Sequence, residues 1–291
     1  MKIGFIGQGW IGKHYADNFE QRGFDVVRYA LEERYIINAD AIRTCDIVFI
    51  AVPTPTRPEG FDVSTVRKVL TLIGNGKIAV VKSTIQPGTT ELLQSEFSNI
   101  YVLHSPEFLR EMSAAYDAGH PDRNIIGIPR ESDEFIIRAK SVLSVLPKAP
   151  YETIMQSRNA EFVKYAGNCF LFTKVVYMNI LYDLVVKMGG DWSKIKDALI
   201  HDPRIGESHT DPIHKSGRGA GGNCFIKDFE TFSKMYTQYL DDKTGSELIK
   251  SLAYKNMQLL VESGKDINLL NDVYGDLNKQ RVWDDIRDTI L

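Results

Sequence analysis

Short apolar runs alternate with amphipathic stretches along the first half of the chain. The runs predict strands at residues 2–6, 25–29, 46–52, 77–82, 100–104 and 124–128. Apolar residues at helical spacing predict helices that end near Gly23 and that cover residues 63–73 and 131–146. The run from Asp46 to Val52 is continuously apolar after its first residue, which is typical of a strand buried on both faces of a parallel sheet. The pattern predicts an α/β domain over residues 1–150, with a doubly wound parallel sheet.

Helical spacing dominates the second half. From about Asn159 to Lys187, apolar residues recur every three to four positions without a proline. One helix of roughly 40 Å is expected there, at ~1.5 Å per residue. Further helices are predicted at 191–200, after Asp228 and at 247–261, and a charged tail from Leu269 carries Trp283, Ile286 and Ile290 at helical spacing. Residues 151–291 are thus predicted to form an all-α domain with a long central helix.

A glycine pattern stands between the first predicted strand and the first predicted helix. It consists of Gly7, Gly9 and Gly12, with Trp10 and Ile11 between the last two. Such glycines let the backbone meet a pyrophosphate at a helix N-terminus, where unpaired N–H groups and the dipole favour an anion. Inside a β-α-β unit this pattern is a Rossmann-type dinucleotide fingerprint, so we assign these five residues to cofactor binding. The alternative is a bare glycine turn.

The second predicted strand lacks the acidic residue that usually ends it and binds the adenosine ribose. Ala30 occupies that position, with Glu32 and Glu33 just beyond it and Arg28 just before it. Either a glutamate reaches back to the ribose, or the site tolerates a 2′-phosphate. We favour NAD over NADP.

Polar segments follow three of the predicted strands. Pro53 and Thr54 begin a stiff loop after the 46–52 run, Thr84 follows the 77–82 run, and Glu107 and Glu111 follow the 100–104 run. Ligands of open α/β sheets bind at this carboxyl edge. The two glutamates share a face if their segment is helical. The alternative for them is a solvated helix start.

A glycine-rich segment in the second half leads into a cysteine. Four of the six residues from 217 to 222 are glycine, and Cys224, Lys227 and Asp228 follow. Glycine permits positive φ and close approach of the backbone to a ligand. A cysteine near a helix N-terminus and a lysine has a lowered thiol pKa and is more nucleophilic. The alternative is a flexible loop with an incidental small hydrophobe.

Lys164 and Asn168 lie four residues apart on the long predicted helix and therefore share one face. An ammonium beside an amide can stabilise an oxyanion. A surface lysine beside an unremarkable asparagine is the alternative.

Composition narrows the classes of function. A net charge of −3 gives no basic footprint for nucleic acid. Three cysteines without a C-x-x-C pair argue against a disulfide framework and a thiolate metal site, and His209, Asp211 and His214 lack a recognised ligand spacing, so no metal is expected. The N-terminus runs straight into a strand, without a signal peptide, and polar residues interrupt the longest apolar run. We expect a cytoplasmic protein that does not span a membrane.

Taken in order, these motifs resemble those of the UDP-glucose/GDP-mannose (nucleotide-sugar) dehydrogenase family. The matching segments are Gly7-x-Gly-x-x-Gly12, Val52-Pro-Thr-Pro55, Ser83-Thr84, Ser105-Pro-Glu-Phe-Leu-Arg-Glu111, Pro121-Asp-Arg123, Glu161-x-x-Lys164-Tyr-Ala-x-Asn168, Arg204-Ile-Gly206 and Gly221-Gly-x-Cys-Phe-x-Lys-Asp228. Each motif alone is modest, but all of them in sequence order are specific.

The resemblance implies an enzyme that oxidises a primary alcohol of a sugar to a carboxylate in two NAD-dependent hydride transfers. It makes Cys224 the nucleophile that forms a thiohemiacetal and then a thioester. The other implied roles are oxyanion stabilisation by Lys164 and Asn168, water positioning by Asp228 with Thr84, and general base catalysis by Glu107. Pro53, Thr54, Thr84, Glu111 and Lys227 are assigned to the cofactor, and Phe108, Leu109, Arg204 and Gly221 to the substrate. The long helix would form the core of a homodimer.

The sequence also departs from the family. The family has a third, C-terminal domain that holds the nucleotide, and this sequence ends before it. We therefore expect a substrate that is bound weakly, lacks a UDP group or is held by a partner. Two alternatives stay open: an NAD-binding homologue with impaired catalysis and a regulatory role, and a β-hydroxyacid dehydrogenase, which transfers one hydride and needs no cysteine.

Overall fold

The computed structural model describes residues 1–275, which form two compact units. The first unit comprises Met1–Thr54 and Asp62–Lys164, and the second comprises Pro55–Phe61 and the chain from Tyr165 onward. The predicted boundary at residue 150 falls just before the last strand of the first unit. The predicted helical spacing of Trp283, Ile286 and Ile290 lies outside the described residues.

The first unit is a Rossmann-type α/β domain built on a seven-stranded sheet of order β2-β1-β3-β6-β7-β8-β9. Its elements are β1 (Lys2–Ile6), α1 (Trp10–Gln21), β2 (Asp25–Tyr29), α2 (Glu33–Ile36), α3 (Ala39–Arg43), β3 (Ile47–Ile50), α4 (Ser64–Leu70), β6 (Ile78–Val81), α5 (Thr89–Glu96), β7 (Tyr101–His104), α6 (Ala114–Gly119), β8 (Arg123–Ile128), α7 (Asp133–Val145), β9 (Tyr151–Gln156) and the start of α8 (Ser157–Lys187). All six predicted strands are present, which confirms the predicted fold class.

The sheet differs from the prediction in one respect, because it is mixed rather than fully parallel. Strand β8 pairs antiparallel with β7, whereas all other neighbours pair in parallel, including β8 with β9. The apolar pattern of a buried strand carries no information on its direction. Strand β9 was not predicted, because half of its residues are polar and it forms an edge of the sheet with no fully buried residue.

Aromatic packing fixes the strands that carry the glycine turn. Phe5 of β1 stacks on Phe49 of β3 with ring centroids 5.1 Å apart, and Phe19 of α1 packs edge-on against both rings. All three side chains are buried. Helix α1 is therefore anchored against the sheet directly after the turn at residues 7–12.

The second unit consists mainly of helices. Its remaining elements are the hairpin β4 (Thr56–Arg57) and β5 (Gly60–Phe61), the rest of α8, α9 (Trp192–Ile200), the hairpin β10 (Ile213–His214) and β11 (Gly217–Arg218), α10 (Gly222–Tyr239), α11 (Lys243–Ser263) and α12 (Ile267–Tyr274). Phe172 of α8 stacks on Phe229 of α10 at 3.8 Å between centroids and forms the centre of one apolar cluster. The two hairpins and α12 were not predicted, and the all-α description is corrected by the hairpins.

Helix α8 confirms the predicted long helix, with 31 residues. By length and composition it could also cross a membrane, since an 18-residue window reaches a mean hydropathy of 1.6. The core helix of a soluble protein meets the same conditions. Here α8 contributes the buried side chains of Phe172 and Val176 to the core of the second unit.

Candidate functional site

The glycine turn after β1 is shaped by close approaches of the backbone. Gly7 has φ +92°, and a Cβ built on it would lie 2.2 Å from the carbonyl oxygen of Ala51. A Cβ on Gly12 would lie 1.9 Å from the carbonyl oxygen of Gly7. These two glycines are therefore required by the packing of the turn against β3 and α1.

Gly9 differs from its two neighbours, because a Cβ built on it would meet no atom within 4 Å. Gly9 precedes the first residue of α1, and no side chain caps this helix. The open space and the uncapped N–H groups fit the pyrophosphate of a dinucleotide. Trp10 is partly exposed and Ile11 half-buried in the first turn of α1.

The arginine of the second strand is engaged by carboxylates. Arg28 Nη2 lies 2.6 Å from Asp17 and 2.7 Å from Glu20, and Nη1 donates to Gln8 Oε1. A guanidinium held in this way has fewer donors to offer a 2′-phosphate. This geometry favours NAD over NADP.

The loops after β3 and β6 are tied to each other. Ser83 Oγ donates to Val52 O at 2.7 Å and accepts from Val52 N, and Thr54 Oγ1 donates to Thr84 O at 2.7 Å. The structure thus brings together Pro53, Thr54 and Thr84 at the carboxyl edge of the sheet.

A buried ion pair follows β7. Lys164 Nζ donates to Oε1 and to the main-chain oxygen of Glu107, both at 2.8 Å, and both side chains are buried. Leu109 N donates to Glu107 Oε2 at 2.9 Å. The segment is not helical, so Glu107 and Glu111 do not share a helix face, and Glu111 lies exposed in the following turn.

Phe108 lies close to two cationic side chains. The Arg123 guanidinium is 3.8 Å from the centroid of its ring and Lys164 Nζ is 5.8 Å away. A cavity of about 280 Å³ in the first unit is lined by Phe108 and Leu109 together with Tyr15 and Lys82. The predicted substrate-positioning backbone therefore borders a cavity that has both apolar and charged side chains in its wall.

Two buried basic groups next to this loop were not singled out from the sequence. Burial lowers the pKa of Lys82 to about 8, against the opposing influence of Glu107, and lowers the pKa of His104 to about 3. Lys82 Nζ donates to the main-chain and side-chain oxygens of Ser105 and lies 4.4 Å from the ring centroid of Tyr15. Both residues end apolar runs, and their position there was the only signal.

Glu161 connects α8 to the start of α5. Its two carboxylate oxygens accept from Gly88 N, Thr90 N and Thr90 Oγ1. Burial raises the pKa of Glu161 to about 7, although these hydrogen bonds favour the carboxylate. Glu161 lies one turn before Lys164, so this contact fixes the part of α8 that presents the lysine.

In the second unit, Asp228 is the centre of a polar cluster. Its side chain is buried, and it accepts from Asn168 Nδ2 at 2.6 Å through Oδ2 and from Lys227 Nζ through Oδ1. Cys169 Sγ lies 3.9 Å from Asp228 O. The structure thus brings together three predicted site residues: Asn168, Lys227 and Asp228.

Cys224 is exposed and lies in the first turn of α10, which begins at Gly222. The predicted location at a helix N-terminus is therefore confirmed. Gly221 precedes the helix and has no side chain with which to cap its first N–H groups. Asp228 lies four residues after Cys224 on the same helix, roughly one turn away.

Three of the glycines before Cys224 pack closely against side chains. Gly217, Gly219 and Gly221 face side chains of the second unit, and a Cβ on Gly221 would lie 2.0 Å from Asp266 Oδ2. The residues that they accommodate, Asn256, Ser263, Lys265 and Asp266, were missed from the sequence. That this segment also lets a ligand approach stays a prediction.

Arg204 and the segment that carries His209 and Asp211 make other contacts. Arg204 is exposed and forms an ion pair with Asp202 at 2.6 Å. Within residues 1–275, no three or more His, Cys, Asp or Glu side chains form a group that could hold a metal ion. His209 packs instead against the ring of Phe225, and Asp211 pairs with Lys196.

Comparison with known proteins decides the family. Residues 30–143 match the NAD binding domain of the UDP-glucose/GDP-mannose dehydrogenase family, and residues 158–257 match the central domain of the same family. The chain belongs to this family. The predicted membership is confirmed, and NAD is its cofactor. The glycine turn at residues 7–12 precedes the first matched segment.

Three relatives illustrate the extent of the likeness. A putative UDP-glucose 6-dehydrogenase of Bacillus subtilis (strain 168), YtcA, is 31% identical over 73% of this chain and 54% of that protein. The structure of a UDP-glucose dehydrogenase from Pyrobaculum islandicum has a TM-score of 0.74 and 27% identity, over 90% of this chain and 71% of the other. A 3-hydroxyisobutyrate dehydrogenase of Mycobacterium tuberculosis, with a TM-score of 0.69 over 98% and 99% of the two chains, is only 15% identical and shares the fold alone.

The chain spans between about half and two thirds of the length of the curated relatives it matches. The matched part holds both polar clusters, with Glu107 inside the first matched segment and Lys164, Asn168, Cys224 and Asp228 inside the second.

Proposed function

We propose that this protein catalyses the NAD-dependent four-electron oxidation of the primary alcohol of a nucleotide sugar, such as UDP-glucose, to the uronic acid. The observation that carries the proposal is the position of Cys224, exposed in the first turn of α10 and one turn before the buried Asp228, which accepts from Asn168 and Lys227. Membership of a nucleotide-sugar dehydrogenase family supports it. A dehydrogenase that transfers one hydride has no use for the cysteine.

The overall reaction consumes one alcohol, two NAD and one water, and yields one carboxylate, two NADH and three protons. Bound NAD supplies the hydride acceptor. Gly9 and the uncapped start of α1 would hold its pyrophosphate, with Gly7 and Gly12 shaping the turn. Pro53, Thr54, Thr84, Glu111 and Lys227 are proposed to hold the remainder.

Cys224 is proposed to act on the aldehyde formed by the first oxidation. Its thiolate adds to the aldehyde carbon, and the carbonyl oxygen becomes the oxyanion of a thiohemiacetal. Asn168 offers an amide donor and Lys164 an ammonium for this charge. The second oxidation removes the hydride from the same carbon and leaves a thioester on Cys224.

Hydrolysis of the thioester needs an activated water. Glu107 is proposed as the general base, because its buried carboxylate accepts hydrogen bonds and is held by Lys164. It takes a proton from water while the hydroxide adds to the thioester carbon, and the thiolate of Cys224 leaves. Asp228 and Thr84 are proposed to orient the water.

Substrate contacts are proposed for the backbone of Phe108 and Leu109, for Gly221 and for Arg204. Residues 1–150 are proposed as the cofactor domain and residues 151–291 as the catalytic and dimerisation domain. We further propose a cytoplasmic enzyme that has no nucleic-acid, membrane or metal partner.

A homodimer is proposed through α8. Phe170, Tyr177 and Leu184 follow one another at seven-residue spacing on this helix and are 68%, 56% and 55% exposed. Large apolar side chains at this spacing form a continuous stripe, which is the pattern that helices bury against one another. A second copy of α8 is the partner that carries the matching stripe.

The proposal is tested with the Cys224→Ser variant. Wild-type protein incubated with UDP-glucose and NAD is expected to release UDP-glucuronic acid, whereas the variant releases no carboxylate, because serine does not form the thioester. Chromatography of the nucleotide sugars separates substrate from product. Carboxylate release by the variant at the wild-type rate would contradict the cysteine mechanism. A lack of NADH formation by wild-type protein with nucleotide sugars and with free sugars would instead indicate a binding protein.

A further inference from the structure

The loop that leads into Cys224 is held by side chains from α11 and from the connection between α11 and α12. Asn256 accepts from Ala220 N at 2.6 Å and donates to Ala220 O at 2.9 Å. Lys265 Nζ donates to Gly219 O at 2.9 Å, and Ser263 Oγ accepts from Arg218 N at 3.0 Å. Asn256 and Lys265 are buried. Hydrogen bonds from these side chains therefore hold the backbone N–H and C=O groups between residues 218 and 220.

The glycines of this loop make room for those side chains. A Cβ on Gly217 would lie 2.6 Å from Ser263 Oγ, and one on Gly221 would lie 2.0 Å from Asp266 Oδ2. Gly219 has φ +88°, and its Cβ would lie 3.0 Å from Asn256 Oδ1. The glycines are therefore needed for close packing of the loop against the C-terminal end of α11.

Asp266 has an unusual position in this arrangement. It precedes the first residue of α12, where an aspartate ordinarily accepts from the N–H groups of its own helix. It makes no such cap, and its Oδ2 instead accepts from Gly222 N at 2.7 Å, at the start of α10. Asp266 adopts φ +54°, a left-handed conformation that is uncommon for residues other than glycine.

We infer that Asp266 is a positioning residue for Cys224, which fixes the first turn of α10 and whose negative charge restrains ionisation of the thiol. Gly222 and Cys224 lie in the same first turn, only ~3 Å apart along the helix axis. A helix N-terminus stabilises a thiolate, and a carboxylate at the same place opposes this stabilisation. The inference deepens the proposed function, since it concerns the nucleophile of that reaction.

Other charged groups of the second unit surround this turn. Lys265 neighbours Asp266. Burial lowers the pKa of Lys265, and the positive charge of Lys215, in the β10–β11 turn, contributes in the same direction. Lys227 and Asp228 follow on α10 and form an ion pair with each other. The nearby His209 packs on Phe225, and burial lowers its pKa. The positive charge of Lys265 opposes the effect of Asp266 on ionisation of the Cys224 thiol. Removal of either charge is therefore expected to shift the pH midpoint of ionisation, in opposite directions.

The test measures the rate of Cys224 alkylation by iodoacetamide as a function of pH, without substrate or cofactor. Cys45 and Cys169 are buried, and Cys224→Ser reports any contribution from them. In Asp266→Asn, the amide oxygen still accepts from Gly222 N, so the position is kept and the charge is lost. We expect the midpoint of the profile to fall by about 0.5–1 pH unit.

A second variant is expected to move the midpoint in the opposite direction. Lys265→Gln keeps a donor for Gly219 O but removes a positive charge, so the midpoint rises. Asp191→Asn, which removes the N-cap carboxylate of α9, serves as the matched control and leaves the midpoint at the wild-type value. Unchanged midpoints in both Asp266→Asn and Lys265→Gln would overturn the inference. That result leaves the proposed oxidation unaffected, because alkylation needs no turnover.

Discussion

At the scale of single residues, the interior of the first unit contains several buried ionisable side chains. Glu107 and Lys164 form a buried pair, and a pair of this kind loses about 3–5 kcal/mol when one partner is removed. His104 and Glu161 are buried without a partner of opposite charge among the bonds that the structure shows. Their burial makes the stability of the first unit depend on pH.

These two residues act in opposite directions. Burial lowers the pKa of His104 from 6.5 to about 3, so below pH 6.5 the folded state binds fewer protons than the unfolded chain and is destabilised. Burial raises the pKa of Glu161 from 4.5 to about 7, so between these values the folded state binds more protons and is stabilised as the pH falls. In the wild-type protein the two effects offset each other between about pH 5 and 6.5.

Substitution of His104 or Glu161 is therefore expected to change how the free energy of unfolding depends on pH, in opposite directions for the two residues. In His104→Phe the effect of Glu161 remains, and the free energy of unfolding rises as the pH falls, by about 1 kcal/mol per pH unit relative to wild type. In Glu161→Gln it falls by a similar amount. Urea unfolding between about pH 5 and 6.5 measures both slopes. Slopes parallel to wild type in both variants would show that neither group titrates as stated.

At the scale of elements, the glycines of the β1–α1 turn have two roles. Two of them are required by packing, and the third is proposed to face the cofactor. Gly7→Ala forces a Cβ against the carbonyl oxygen of Ala51 at φ +92° and is expected to cost at least ~2 kcal/mol of stability. Gly9→Ala meets no protein atom, so it is expected to unfold like wild type but to bind NAD at least tenfold more weakly.

Gly76→Ala is the control for the turn. Gly76 also has positive φ, at +72°, but a Cβ there meets nothing within 4 Å, so only the conformational strain is added. Calorimetric titration with NAD and thermal unfolding distinguish the three variants. Wild-type NAD affinity in Gly9→Ala would contradict the assignment of the open space at Gly9 to the pyrophosphate.

The elements also show how far the sequence alone could lead. Buried strands such as β3 and β6 and the long helix α8 were predicted, because their periodicity is strong and local. The direction of β8 depends on its neighbours and leaves no periodic signal, and β9 has too few apolar residues to be distinguished from a loop. Helix α10 begins before its apolar pattern does, since its first residues are part of the glycine-rich segment.

The candidate site was predicted to a similar extent. Motif spacing identified Cys224, Asp228 and Lys164, and the structure places the first two on one helix. Asn256 and Asp266 were missed, because they lie far away in sequence and belong to no recognised motif. Only the fold shows that they meet the glycine loop.

At the scale of the whole molecule, both units carry residues on which the proposed reaction depends. The first holds the glycine turn proposed to bind NAD, Thr84 and the Glu107–Lys164 pair, and the second holds Cys224 with Asn168 and Asp228. Helix α8 contains both Lys164 and Asn168 and presents the apolar stripe proposed for dimerisation. The proposed oxidation therefore draws on residues of both units.

The stoichiometry of the reaction distinguishes the four-electron oxidation from a single hydride transfer. Wild-type protein is given a limiting amount of UDP-glucose and an excess of NAD, and NADH is counted by its absorbance when the reaction is complete. We expect two NADH for each UDP-glucose consumed, together with one uronic acid. One NADH per substrate, with an aldehyde or ketone as the product, would contradict it.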